Sequence, residues 1–252
     1  MPPFPTPLLF VAGLLLGSFL SVLIPRLHKN ERGIFAGRSQ CTHCKTTLKA
    51  TDLIPLVSYV LYKGKCRYCK ESIGWTYPAL ELSTAFLFLG LGFSGLTPLP
   101  LYLFYGLVLI FIFFYDLRYL EIPDEVMLPS IFVAILANLT PYGIPFLDGL
   151  YGALIMMSLF LIQIVLSRGR WLGGGDLRIG AFMGFILGWE LTLVALLMSY
   201  LIGATISLIL LALGKVTRKT MVPFGPFLVL GTLIALFWGP QLIEWYLNFI
   251  QL

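Results

Sequence analysis

Apolar residues do not alternate or recur with a short period along this chain; they run on. Continuous hydrophobic stretches fall at roughly 7–24, 77–93, 99–115, 126–139, 146–167, 177–189, 191–213 and 224–249, separated by short polar or Pro/Gly-containing connections. Most approach or exceed the ~20 residues that carry an α-helix across a bilayer. A membrane barrel would instead show short segments of alternating apolar and polar positions. The pattern predicts an all-α polytopic membrane protein of about eight transmembrane helices. The 126–139 and 177–189 segments are short, and flanking residues or a locally thinned site can accommodate them. The one sizeable polar region, about 27–75, follows the first run. It is too small to build a large apolar core, and a bound metal is the usual remedy.

Composition agrees: 58% of residues are hydrophobic and 12% charged, against about 25% charged in a soluble domain. The net charge of +5 matters mainly through its placement. All 17 Lys and Arg fall in four stretches, Arg26 to Lys70, Arg118, Arg168 to Arg178 and Lys215 to Lys219. Basic loops remain cytoplasmic, so these four are assigned to the cytoplasm, and both termini fall outside. The basic balance then reports topology and contact with anionic lipid, not nucleic acid. The apolar, Pro-rich N-terminus has no basic residue before its first hydrophobic run and does not read as a cleaved signal peptide.

The chain's four cysteines form two C-x-x-C pairs, Cys41/Cys44 and Cys66/Cys69, with 21 residues between them, in the polar region. In a reducing compartment this spacing points to metal ligation, with four thiolates around one structural Zn2+ as in a zinc ribbon. A redox dithiol is the alternative. His43 lies between two ligands that already complete the shell, so it is expected to be solvated.

Two carboxylates sit at cytoplasmic span ends. Asp116 follows the apolar run 107–115, and Asp176 ends Gly173-Gly174-Gly175-Asp176 before the 177–189 segment. An ionisable group at such a boundary suggests function. Two adjacent carboxylates cannot both ionise cheaply and share one proton, the arrangement acid–base hydrolysis of a peptide bond requires. Gly173, Gly174 and Gly175 let the backbone adopt positive φ and come close to a peptide substrate. A plain turn with Asp176 as a helix cap is the alternative. Asp124, a candidate helix N-cap after Pro123, is a third carboxylate that could compete with Asp116 for the role.

These motifs together resemble the bacterial type IV prepilin peptidases over nearly the whole chain. The resemblance is carried by the end of the first span (17–27), the four-Cys region with Asp52-Leu-Ile-Pro-Leu-Val-Ser58, and Tyr77-Pro-Ala-Leu-Glu-Leu82. It continues through Asp116-Leu-Arg-Tyr-Leu-Glu-Ile-Pro-Asp124, the GxGD motif Gly173–Asp176 and Pro223-Phe-Gly-Pro-Phe-Leu228. Arg178 stands where the family usually carries Lys, and Pro25 where it often has Tyr. The resemblance implies a division into a first transmembrane helix (1–26), a cytoplasmic zinc-type domain (27–76) and a seven-helix GxGD aspartyl protease domain (77–252). It implies an inner-membrane aspartic endopeptidase with Asp116 and Asp176 as catalytic residues, Asp116 activating the nucleophile. Its substrates would be type IV prepilins and pseudopilins, losing a short basic leader. The four-Cys region further implies N-methylation of the new N-terminus from S-adenosylmethionine, with Glu81 and the Asp52 segment as candidates for the donor site. Two other classes remain: a zinc-ribbon membrane adaptor, in which the Cys residues matter and the Asp residues do not, and a membrane thiol oxidoreductase.

Overall fold

The structure is a computed structural model that describes residues 5–29, 38–217 and 220–250. Arg32, Arg218 and Lys219 of the basic stretches, and the extreme ends of the chain, lie outside the described residues. The described chain is helical, with no strand beyond two isolated bridges. The elements are α1 (Thr6–His28), a 3-10 turn (Ala50–Leu53), α2 (Val57–Leu61), α3 (Thr76–Phe93) and α4 (Leu99–Tyr119). Then follow α5 (Asp124–Asn138), α6 (Phe146–Ser167), α7 (Gly174–Ala212) and α8 (Gly225–Phe249).

Six of these helices are long and apolar enough to cross a membrane: α1, α3, α4, α6, α7 and α8. The 39-residue α7 is broken at Gly188, whose φ of 77° and ψ of 174° lie outside the helical region. Only glycine adopts such a conformation without strain. The two expected segments 177–189 and 191–213 are therefore the two limbs of α7, and α5 supplies the short 126–139 segment. All eight apolar segments are helical, and the membrane-protein class follows from them.

The chain forms two compact units, Met1–Phe114 and Tyr115–Leu252. In the first, α1 lies against α3 through glycines. A Cβ on Gly13 would stand 2.5 Å from the Ala85 Cα, and one on Gly17 would stand 2.7 Å from the Glu81 Cα. Such small-residue contacts let apolar helices approach closely where lipid removes the hydrophobic drive.

In the second unit, α6 runs antiparallel to the first limb of α7. Gly149 meets Phe185, Gly152 meets Gly184, and Met156 and Phe160 meet Gly180. The second limb returns against α8: Gly239 meets Leu191, Gly231 meets Ala195 and Ser199, and Gly203 meets Phe227. These registers bring the end of α6, the start of α7, the second limb near residue 200 and the start of α8 to one end of the unit. The Tyr200 hydroxyl, which donates to Gln163 Oε1 at 2.8 Å, ties α7 to α6 there.

Candidate active site and metal cluster

Asp116 lies in the last turn of α4 and is buried, with 6% of its surface exposed. Its Oδ2 accepts the backbone N–H of Gly225 at 2.9 Å. That N–H belongs to the first turn of α8, where helical geometry leaves backbone donors without partners in the helix. Gly225 is sterically required: a Cβ there would lie 2.7 Å from Asp116 Oδ2 and 3.1 Å from its Cγ. The ring of Phe224 before it lies among Tyr200, Phe160 and Phe227, at centroid distances of 5.3, 6.2 and 6.5 Å. These ring contacts hold Phe224, the residue directly before Gly225.

Asp176 occupies the first turn of α7. Its Oδ2 accepts the N–H of Gly173 at 3.0 Å, so it does make a capping-type bond, from three residues inside the helix. It is half-buried and lies near enough to Asp116 and the Tyr200 hydroxyl to interact with them electrostatically. The structure thus brings the two aspartates into electrostatic reach of one another at the same end of the unit.

The glycine triplet does not use its freedom to take positive φ. Gly173 is extended (φ −98°, ψ 169°), Gly174 and Gly175 belong to the first turn of α7, and none of the three is left-handed. The left-handed residues of this loop are Arg168 and Gly169, which end α6. The physical reason is that the Gly173 N–H is used to bond Asp176, so the triplet forms the helix start and not a reversal. Space distinguishes the three. A Cβ on Gly175 would stand 2.9 Å from Ile122 Cγ1, whereas one on Gly174 meets nothing within 4 Å.

Asp124, the third carboxylate, is the first residue of α5 and pairs with Arg178 Nη1 at 2.6 Å. Pro123 precedes it as the N-cap. Sequence spacing gives no sign of this pair: Arg178 lies 54 positions from Asp124, two residues after Asp176.

The four cysteine Sγ atoms converge, all within 4.8 Å of one another, with Cys41 and Cys69 at 3.8 Å. Two matching backbone knuckles deliver them. The Lys45 N–H bonds Cys41 O and the Cys41 N–H bonds Thr46 O; 25 positions later, Lys70 bonds Cys66 O and Cys66 bonds Glu71 O. Lys45 and Lys70 hold equivalent left-handed conformations, with φ of 57° and 61°. The Thr46 hydroxyl and N–H lower Cys44 to about 6. At Cys69 the Glu71 N–H acts downward, but burial and the three neighbouring thiols prevail and raise it to about 11. Crowded thiols that resist joint ionisation form a set that can hold a metal ion, whose positive charge would relieve their repulsion. His43 is exposed, as expected.

Asp52 braces this cluster. Its carboxylate accepts the Lys49 N–H and the Tyr68 hydroxyl, each at 3.0 Å, and pairs with Arg67 at 3.5 Å. Tyr68 and Arg67 lie between Cys66 and Cys69. At the other end of the same loop, the Leu56 N–H donates to Glu81 Oε2 at 2.8 Å.

No solved structure matches the chain. Residues 11–94 match the model of the bacterial peptidase A24 N-terminal domain, and residues 103–208 match that of the type IV leader peptidase family. The chain is similar to proteins named prepilin leader peptidase/N-methyltransferase. One from Bacillus subtilis (strain 168) is 33% identical over 248 residues, covering 96% of this chain and 97% of that protein. One from Aeromonas salmonicida (strain A449) is 32% identical, covering 96% and 94%. One from Pseudomonas aeruginosa is 33% identical, covering 94% and 91%. The buried Asp116, the Asp176 helix start and the paired cysteine knuckles are therefore features of a chain that belongs to the type IV leader peptidase family.

Proposed function

We propose that the chain is an inner-membrane aspartic endopeptidase that removes the basic leader of type IV prepilins and pseudopilins, with Asp116 and Asp176 as its catalytic pair. The observation that carries this is the fixing of Asp116 by the Gly225 N–H with Asp176 in electrostatic reach. The pair retains one proton between them. Asp116 takes a proton from a water as the water oxygen attacks the scissile carbonyl carbon, and Asp176 gives its proton to the carbonyl oxygen. Collapse of the tetrahedral intermediate breaks the C–N bond: the proton held by Asp116 passes to the departing amine, and one hydroxyl of the intermediate returns its proton to Asp176 as the new carboxyl group forms. Asp116 Oδ2 is engaged by Gly225, which leaves Oδ1 as the oxygen for the water.

In this reading residues 1–26 are the first membrane helix, 27–76 the metal domain and 77–252 the protease domain, with the metal domain and the aspartates on the cytoplasmic side. The basic loops support that sidedness. Zn2+ suits the cysteine cluster, since a tetrahedron with Zn–S bonds of ~2.3 Å has edges of about 3.8 Å, the separation of Cys41 and Cys69. Bound there, zinc would hold the two knuckles together. The relatives' name includes N-methyltransferase, and we extend that activity to this chain, with S-adenosylmethionine as methyl donor.

The test is to incubate purified Asp116→Asn and Asp176→Asn variants with a prepilin and weigh the products. Each should remain folded in the membrane and leave the leader attached. Normal cleavage by either variant would refute the assignment.

A further inference from the structure

The first unit contains a buried carboxylate that peptide hydrolysis does not use. Glu81 lies in α3, a membrane-spanning helix, and only 7% of its surface is exposed. It is engaged by the Leu56 N–H and by Ser18 of α1, and no Lys or Arg among the described residues pairs with it. A carboxyl group buried in a span with no cation beside it is costly to ionise and marks a functional position by default.

Its backbone partner is a second anomaly. Leu56 has φ 59° and ψ −45°, and Val57 N–H bonds Pro55 O at 2.6 Å across it. This is a γ-turn of the rare hand, strained for a residue with a Cβ. The turn persists because both sides of it are tied. Asp52 fastens the loop to the Cys66–Cys69 knuckle, and Glu81 fastens Leu56 to α3. Beside it, Ile54, Val57, Val60 and Leu61 expose large apolar surfaces. An uncompensated carboxylate next to an exposed apolar face matches a ligand with an ammonium at the end of an apolar segment. The product of leader removal, an apolar helix with a new free N-terminus, has that chemistry.

We propose that Glu81 and the Leu56 turn form a second site, which binds the α-ammonium of the cleaved product for methyl transfer. This rests on the methyltransferase reading given above. Glu81 pairs with the ammonium and accepts one of its protons. The freed nitrogen lone pair attacks the sulfonium methyl of S-adenosylmethionine, the N–C bond forms, and the C–S bond breaks with its electrons passing to sulfur, leaving a neutral thioether.

Glu81→Gln keeps an oxygen acceptor for the Leu56 N–H and removes the charge. With detergent-purified full-length protein and a prepilin, this variant should cleave the leader and retain metal as the parent does, while methylated product falls at least about tenfold. In a binding assay, a mature product peptide should bind the parent about tenfold tighter than its des-amino analogue, and Glu81→Gln should not distinguish the two. Wild-type-like methylation by Glu81→Gln, or equal affinity of the parent for the two peptides, would overturn the site. A fall in cleavage, methylation and metal content together would also overturn it, by showing a purely structural role. A parent that prefers the ammonium but never methylates it would sink the methyltransferase reading and the transfer step while leaving the binding site standing.

Discussion

The Gly225 N–H and the Asp116 carboxylate are joined by a 2.9 Å hydrogen bond across 109 positions of sequence. This bond fixes the end of α4 against the start of α8, and it exists only because residue 225 lacks a side chain. The donor that orients Asp116 is a backbone group, so its position does not depend on a side-chain rotamer of residue 225.

Gly225→Ala should therefore act as a near-catalytic lesion. Its Cβ would stand 2.7 Å from Oδ2, so the carboxylate must turn or α8 must withdraw. Misplacement of a reacting group by about 1 Å costs roughly a hundredfold in rate. Initial rates of prepilin cleavage should fall by about that factor while the variant still inserts and purifies as a folded protein. An unchanged rate would mean that Asp116 does not need this orientation.

Asp124 should prove dispensable for the chemistry. Its ion pair with Arg178 is short, at 2.6 Å, but 46% and 37% of the respective side-chain surfaces are exposed. Pairs so exposed contribute about 0.2–1 kcal/mol. Asp124→Asn should keep cleavage within about threefold of the parent, and a double-mutant cycle with Arg178→Gln should give a coupling in that range. Loss of cleavage as complete as that of Asp116→Asn would restore Asp124 as a catalytic candidate.

The glycine triplet should respond unequally. Gly174→Ala meets no atom within 4 Å, whereas Gly175→Ala drives its Cβ to 2.9 and 3.0 Å from Ile122 Cγ1 and Cβ. The first should leave thermal stability within about 0.5 kcal/mol. The second should cost about 1–3 kcal/mol through overpacking, read as a lower unfolding midpoint in detergent. A reversed order would indicate that the loop before Asp176 packs differently.

The membrane class and its eight apolar segments were legible because bilayer thickness imposes a run length on sequence. The cysteine cluster was legible because both ligand pairs are local. What could not be read are contacts made by backbone groups. Gly225 was visible only as part of a familiar turn, since nothing in the spacing links its N–H to Asp116. The conformation of the triplet Gly173–Gly175 was not legible for a related reason. Glycine permits positive φ without requiring it, and here Asp176 draws the Gly173 N–H into a helix start. The same holds for Glu81 and Leu56, 25 residues apart, one of which contributes only its amide.

Asp52 gives a pH-dependent test of how the metal domain is held. Burial opposes its charge, but the Lys49 N–H, the Tyr68 hydroxyl and Arg67 outweigh it and keep the carboxyl below its ordinary range. A folded-state value below the unfolded ~3.9 means the brace is fully present above that pH. It is lost as pH falls through the folded value, where protonation removes the charge that Arg67 and Tyr68 recognise. Asp52→Ala lacks the brace at every pH. At pH 6 the Lys49 amide and those of the Cys66–Cys69 knuckle should therefore exchange hydrogen about three- to tenfold faster in the variant, after correction for intrinsic rates, as loss of a single ordinary hydrogen bond would give. As pH drops below about 4 the two proteins should draw together, and they should converge once pH has passed the lower folded-state value. Equal exchange at pH 6 would show that the knuckle stands without Asp52, and a gap that persists in acid would show that the brace does not depend on its charge.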